Sequence, residues 1–182
     1  MAQYARPDAD DTDGSWTDKS GGTTLYTSID EASADDATTF IKSTDDTGSN
    51  DVCIVRLSDV SAPATSGTYI KYKALTQDDT GSGPPGLKLE LLEPDGEGDW
   101  DVRATTSNYS VDTSSFTAYS YTISDVSGIS DWTDLYMRIT MLTSSGFGDL
   151  MKVTQVYLET QDAGSSVPIA AIAMNTYRQM RN

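Results

Sequence analysis

Between residues 67 and 160 the chain runs as one short alternating segment after another, with no stretch carrying the apolar period of a long helix. Residues 87–91 are the clearest case: Leu87, Leu89 and Leu91 share one parity, while Lys88 and Glu90 take the other. Residues 135–141 place Leu135, Met137, Ile139 and Met141 inward and Tyr136, Arg138 and Thr140 outward. Residues 68–75 alternate Ile70, Tyr72 and Ala74 against Lys71 and Lys73, and residues 100–104 repeat the pattern with Asp101 and Arg103 outward. Residues 52–57 are apolar on both parities, as a covered central strand requires. Residues 38–43 and 116–123 complete the series together with residues 151–159. That last run changes phase, because Met151 and Val153 share a face but Val156 and Leu158 fall on the other parity. A bulge at Thr154–Gln155 restores one apolar face. Gly, Asp and Pro clusters such as Pro94-Asp95-Gly96 separate the runs. About eight strands without crossover helices predict an all-β fold, an antiparallel β-sandwich with the jelly roll as first choice.

Both ends depart from this rhythm. Residues 1–35 read as an extended N-terminal arm, in which Tyr4, Trp16, Leu25, Tyr26 and Ile29 stand as single anchors among Asp, Thr, Ser and Gly. Such an arm docks on a neighbour, or Trp16 covers an open edge of its own sandwich. Residues 36–162 form the sandwich domain, and residues 163–182 form a C-terminal tail. From residue 165 onward the tail has no acid. Ser166 and Pro168 suit the start of a short helix. Ile169, Ile172, Ala173, Tyr177 and Met180 then make one stripe, although Pro168 also favours an extended arm. With Met174, Arg178 and Arg181, this tail is an anchor for another subunit or another protein, or else packs on its own sandwich.

Charge narrows the choice of partners. With 28 acidic against 12 basic residues the net charge is −16. Such a surface repels phosphate backbones and anionic bilayer faces, so nucleic acid and membrane are not expected partners. Met1 is followed by polar and acidic residues, unlike a secretory leader, and no apolar run approaches the ~20 residues of a bilayer span. The single cysteine, Cys53, lies in an apolar strand and reads as a buried hydrophobe.

Chemistry is scarce. With no histidine, a Ser-His-Asp or Cys-His mechanism is excluded within this chain, and transition-metal sites lose their commonest ligand. Calcium is the one cation the sequence offers oxygen for, at Asp8, Asp10, Asp11, Asp13 and Gly14 and at Asp95, Glu97, Asp99 and Asp101. Neither run has an EF-hand pattern, and acids in Gly-rich turns arise readily in so acidic a chain, so no cofactor is expected. No pair of carboxylates is nominated for glycoside hydrolysis. The aromatics remain. Ten Tyr and three Trp stand against three Phe. Tyr69, Tyr109, Tyr119, Tyr121 and Tyr136 lie on strand faces or in loops, where rings with a polar tip suit protein interfaces or sugar stacking, or are ordinary sheet surface.

Several segments resemble accessory virion proteins of tailed bacteriophages. These are the opening through Tyr4-Ala5-Arg6-Pro7-Asp8, Gly14-Ser15-Trp16-Thr17 and Thr24-Leu25-Tyr26, then Asp131-Trp132-Thr133-Asp134-Leu135-Tyr136, and the ending Val167-Pro168-Ile169 to Asn175-Thr176-Tyr177-Arg178. The resemblance implies a jelly-roll-like decoration or cement protein of the particle, head shell favoured, made in the host cytoplasm and carried on the virion, with no family active site to transfer. Its partners are then copies of itself and a major capsid or other virion protein. The interface residues are Tyr4, Trp16, Leu25, Tyr26, Ile169, Ile172, Met174, Tyr177, Arg178, Met180 and Arg181. The alternative is a carbohydrate-binding, lectin-like module or tail-associated adhesion protein that touches host glycan. An enzyme is not expected.

Overall fold

The computed structural model describes residues 1–36, 38–44, 50–63, 67–77, 83–108, 110–143 and 149–162. Eleven strands appear among them: β1 (Ala2–Ala5), β2 (Pro7–Thr12), β3 (Thr17–Asp18), β4 (Ile41–Lys42), β5 (Asp51–Leu57), β6 (Thr68–Gln77), β7 (Gly86–Pro94), β8 (Trp100–Asn108), β9 (Thr117–Ile123), β10 (Tyr136–Leu142) and β11 (Leu150–Gln161). The first sheet runs β3-β4-β11-β6-β9, with β1 also paired to β11, and the second runs β2-β5-β10-β7-β8. Every pairing is antiparallel. From β4 onward the chain passes between the sheets in jelly-roll order, β4-β11-β6-β9 against β5-β10-β7-β8, so the expected all-β sandwich is the fold found.

The core is the space between the two inner faces. Val55 and Leu57 of β5, Leu89 and Leu91 of β7 and Met137 and Ile139 of β10 meet Ile70 of β6 and Val153, Val156 and Leu158 of β11, all fully or almost fully buried. Period-2 alternation places these residues, as the sequence predicts. The expected bulge in β11 is present, with the register shifting between Val153 and Gln155. The extra residue, Thr154, is buried and its hydroxyl donates to the Thr39 carbonyl at 2.8 Å. Cys53 is buried among the core residues, where burial pushes its thiol well above the ordinary range.

The first 35 residues do not stand away from the sandwich as an extended arm. β1 adds to the first sheet, β2 to the second, and β3 pairs with β4. Ala5, Trp16, Leu25 and Ile29 are all in the core cluster. The Asp10 carboxylate accepts from Leu25 N at 2.9 Å and Tyr26 N at 2.8 Å, which fixes the 3-10 turn Tyr26–Ser28. Backbone pairing with β11 and β5 organises this segment, so it needs no strict alternation of its own.

A second bulge alters an expected face. The register of β7 with β8 shifts between Leu91 and Leu92, so Leu91 faces Ala104 but Leu92 faces Val102. Beyond the shift Val102 is 47% exposed, and Arg103 turns its guanidinium to the Glu93 carboxylate instead of to solvent. The regular alternation expected over residues 100–104 is therefore broken, and Trp100 and Val102 emerge on the outer face.

Candidate functional site

Strand register stacks three rungs of side chains on the outer face of the second sheet. The first is Arg56, Tyr136, Leu92 and Val102; the second is Ile54, Arg138, Glu90 and Thr105; the third is Val52, Thr140, Lys88 and Ser107. Each is outward because its chain neighbours, among them Val55, Leu91, Met137 and Ile139, are inward and buried.

The first rung carries the rings. Trp100, opposite Pro94 at the end of β8, lies 4.6 Å from Tyr136 between ring centroids at an interplanar angle of 59°. Both rings are partly exposed, and Leu92 of the same face is fully buried. Burial, with Asp134 next in weight, pushes the Tyr136 phenol above its ordinary 10.0, so it stays protonated and remains a donor. Arg56 closes this end within a loose ring of acids: Asp8 at 3.5 Å, Asp59 at 3.6 Å and Asp134 at 3.7 Å.

The second and third rungs are polar. Arg138 Nη1 donates to Glu90 Oε2 at 3.2 Å, and Lys88 Nζ approaches the same oxygen at 3.1 Å. Glu90 is only 7% exposed and Ile54 8%, although both face away from the core. Thr140, read from the alternation as exposed, is 3% exposed, and its hydroxyl has no hydrogen-bond partner. Arg138, Lys88 and Glu90 thus form an ion-paired polar cluster one and two rungs from the Trp100–Tyr136 ring pair.

The outer face of the first sheet also carries rings. Tyr4 is 46% exposed and meets Tyr157 edge-on at 5.9 Å. The Arg6 guanidinium lies 5.1 Å and 5.3 Å from their centroids. Farther along, Lys71 bonds Glu159 at 2.7 Å and Lys73 pairs with Asp36. Lysine–carboxylate pairs thus engage much of the polar capacity of this face. Among the described residues no group of three or more Cys, Asp or Glu side chains is placed to hold a metal ion. Asp8 faces Arg56, Asp10 caps the turn at Tyr26, and Asp95 accepts from Glu97 N and Asp99 N.

The residues expected at an interface divide three ways. Tyr4 is exposed on β1. Trp16 and Leu25 are inside the core and unavailable to a partner, and Tyr26 packs half-buried against that core. Ile169, Ile172, Met174, Tyr177, Arg178, Met180 and Arg181 lie outside the described residues, as does Tyr109. Of the other tyrosines, Tyr69 is half-buried with the Lys71 ammonium 5.6 Å from its ring centroid, Tyr119 stacks on Tyr72 at 5.1 Å, Tyr121 is exposed at the sheet edge, and Tyr136 lies on the outer face of the second sheet. Trp100 escapes sequence reasoning because alternation alone puts it on the same side as Ala104. Only the bulge, which leaves no mark in the residue types, reverses it.

No protein-family model matches the chain, and no curated protein matches it. Solved structures do resemble it. A family 29 carbohydrate-binding module is 14% identical over 97% of this chain and 98% of its own, with a TM-score of 0.40. A carbohydrate-binding module specific for non-crystalline cellulose is 17% identical over 79% of this chain and 88% of its own, at 0.46. The enzymatically active domain of tailspike protein 4 from bacteriophage CBA120 is 12% identical over 87% of this chain and 19% of its own, at 0.45. With these TM-scores below 0.5, the likenesses carry no argument about ligand or mechanism.

Proposed function

We propose that this chain is a non-catalytic carbohydrate-binding module whose ligand lies across the outer face of the second sheet. The Trp100–Tyr136 ring pair on the same sheet face as the Arg138–Glu90–Lys88 cluster carries the reading. A pyranose ring has apolar C–H faces and hydroxyls around its rim. The rings suit the faces, and guanidinium, ammonium and carboxylate tips suit the rim. A protein partner fits this face less well. It would have to desolvate Arg56, Arg138, Lys88 and Glu90 together, whereas interface cores are depleted in charge. Nucleic acid is disfavoured by the −16 charge, which opposes any phosphate backbone.

Calorimetry against a panel of soluble neutral and acidic polysaccharides tests the proposal, with Trp100→Ala as the probe. Binding by the unaltered chain should fall at least about tenfold in the variant, the equivalent of about 1.4 kcal/mol, with far-UV circular dichroism unchanged. Equal binding by both proteins, or none by the unaltered chain, sinks the reading. Carriage on a phage particle is a separate proposal about location. It rests on the resemblance of both ends and of the segment around Asp131–Tyr136, and immunogold labelling of particles tests it independently.

A further inference from the structure

Most strand edges of this sandwich carry a device that prevents pairing with another chain. β3 is two residues long and ends on Asp18. β2 contains Pro7, Asp8, Asp10 and Asp11, and its register with β5 breaks twice. β8 carries Asp101 and Arg103 and is bulged against β7. The free side of β1 is lined by the segment around Ser58 and Ser61, through Ser58 N to Arg6 O at 2.7 Å and Ser61 N to Gln3 Oε1 at 2.9 Å. Short length, proline, charge, bulges and cover are the known means of blunting an edge.

Among the described residues β9 has none of them. It is seven residues, Thr117-Ala118-Tyr119-Ser120-Tyr121-Thr122-Ile123, with no charge, proline or glycine. It pairs with β6 through seven residues without a register shift, and among the described residues no strand lies on its other side. Ala118, Ser120, Tyr121 and Thr122 are exposed, and Thr and Tyr are strand-favouring types. Two-fold self-pairing of one strand is antiparallel and closes at two copies.

We infer that β9 is a self-association edge, joining two copies of this chain through an antiparallel β9–β9 pair that makes their first sheets continuous. About a two-fold axis β9 is its own complement, because its outward row of N–H and C=O groups meets the same row reversed, and this makes a second copy the occupant. Two chains of −16 repel wherever their acidic surfaces meet, and an uncharged edge is where they approach with least opposition. Behind that edge, on β6, Lys71 and Lys73 are already neutralised by Glu159 and Asp36. This inference is independent of the carbohydrate reading, which concerns the other sheet.

Sedimentation equilibrium across a concentration series tests it. The full chain should move from 19.6 kDa toward twice that mass. The transition should shift to lower concentration as salt is raised to physiological strength, where the screening length shrinks to about 8 Å. The double variant Ala118→Glu/Thr122→Glu, at exposed positions, should remain at the single-chain mass. The charge-matched control Ala32→Glu/Ser33→Glu should still double. If the edge variant fails to fold, amide exchange of the unaltered chain decides, because protection over residues 117–123 must rise with concentration. A single-chain mass throughout, an edge variant that still doubles, or exchange independent of concentration overturns the inference. An edge made for a strand of a different protein would give the first of these results.

Discussion

Thr140 shows how one atom constrains the candidate site. Its hydroxyl is buried on the outer face of the second sheet with no partner, between Val52 and Lys88 in register. A buried hydroxyl without a hydrogen bond loses its hydration and gains nothing in return. Valine has nearly the same shape and no hydroxyl to desolvate. Thr140→Val should therefore raise stability by about 1 kcal/mol in urea denaturation. If it lowers stability instead, the hydroxyl has a partner in solution, such as an ordered water. The contrast with Glu93 is instructive. That carboxylate is 2% exposed but accepts from Ser130 N at 3.0 Å, Asp131 N at 2.6 Å and Arg103 Nε at 2.7 Å. It ties β7, β8 and the segment before β10 together, so its burial is compensated where that of Thr140 is not.

At the scale of elements, the turn between β2 and β3 separates two readings of Gly14. In the sequence this glycine closes an acidic run that suits a cation loop. In the structure it has φ +56°, and a Cβ built on it would stand 1.9 Å from the Val52 backbone carbonyl oxygen. The glycine permits backbone to pass over β5, and Trp16 N then donates to Asp13 O at 3.0 Å as the indole enters the core. Gly14→Ala should destabilise by at least about 2 kcal/mol, because main chain and not a flexible side chain must move. A loss below about 0.5 kcal/mol in the same urea assay would show that the turn relaxes freely. The strands of the sandwich were legible because period-2 alternation is a direct imprint of one buried face. Leu87, Leu89 and Leu91 needed no further information, and the parity change in β11 exposed its bulge. β1, β2 and β3 were illegible as strands, since pairing on existing edges demands backbone groups and only a few anchors. The candidate site was half legible. Tyr136, Arg138, Lys88 and Glu90 could be assigned to outer faces from alternation, but Trp100 joined them only through a bulge, and the cross-strand neighbours follow from a strand order that sequence does not encode locally.

For the molecule as a whole, the charge pattern makes acid the revealing perturbation. The chain has no histidine, and Cys53 is pushed up by burial, so neither type of side chain titrates between about pH 5.5 and 7.5. Stability should be nearly level there. Below that range two effects oppose each other. Protonation discharges the −16 surplus and relieves repulsion. It also removes carboxylates that the fold holds by hydrogen bonds. Burial alone would raise Glu93 above its usual 4.5, yet donors from Ser130, Asp131 and Arg103 outweigh burial and hold it lower. Asp112 is pulled from 3.8 to about 2, first by the Ser114 N–H and hydroxyl and then by the Ser115 N–H. Asp18, Asp95, Asp125 and Asp131 are lowered likewise, by turn hydrogen bonds. For each of these the folded value lies below the unfolded one. The unfolded chain then binds more protons as pH falls, so the stabilisation is complete above about pH 5 and lost on acidification. At about 0.15 M salt the repulsion between exposed charges is screened beyond about 8 Å, while these contacts are short-range and persist. The melting temperature should therefore hold from pH 7.5 to 5.5 and fall steadily from pH 5 to 2. Asp112→Asn should flatten the part of the fall between about pH 4 and 2, because its own proton uptake is gone. Glu93→Gln should act on the part that begins near pH 5, after a loss of about 2 kcal/mol at neutral pH, because the amide oxygen can still accept from Ser130 and Asp131 but its NH2 then faces the Arg103 guanidinium. Calorimetry at intervals of half a pH unit measures all three curves. A melting temperature that climbs from pH 7 to 3 would mean that relief of the net charge outweighs the buried and turn carboxylates together.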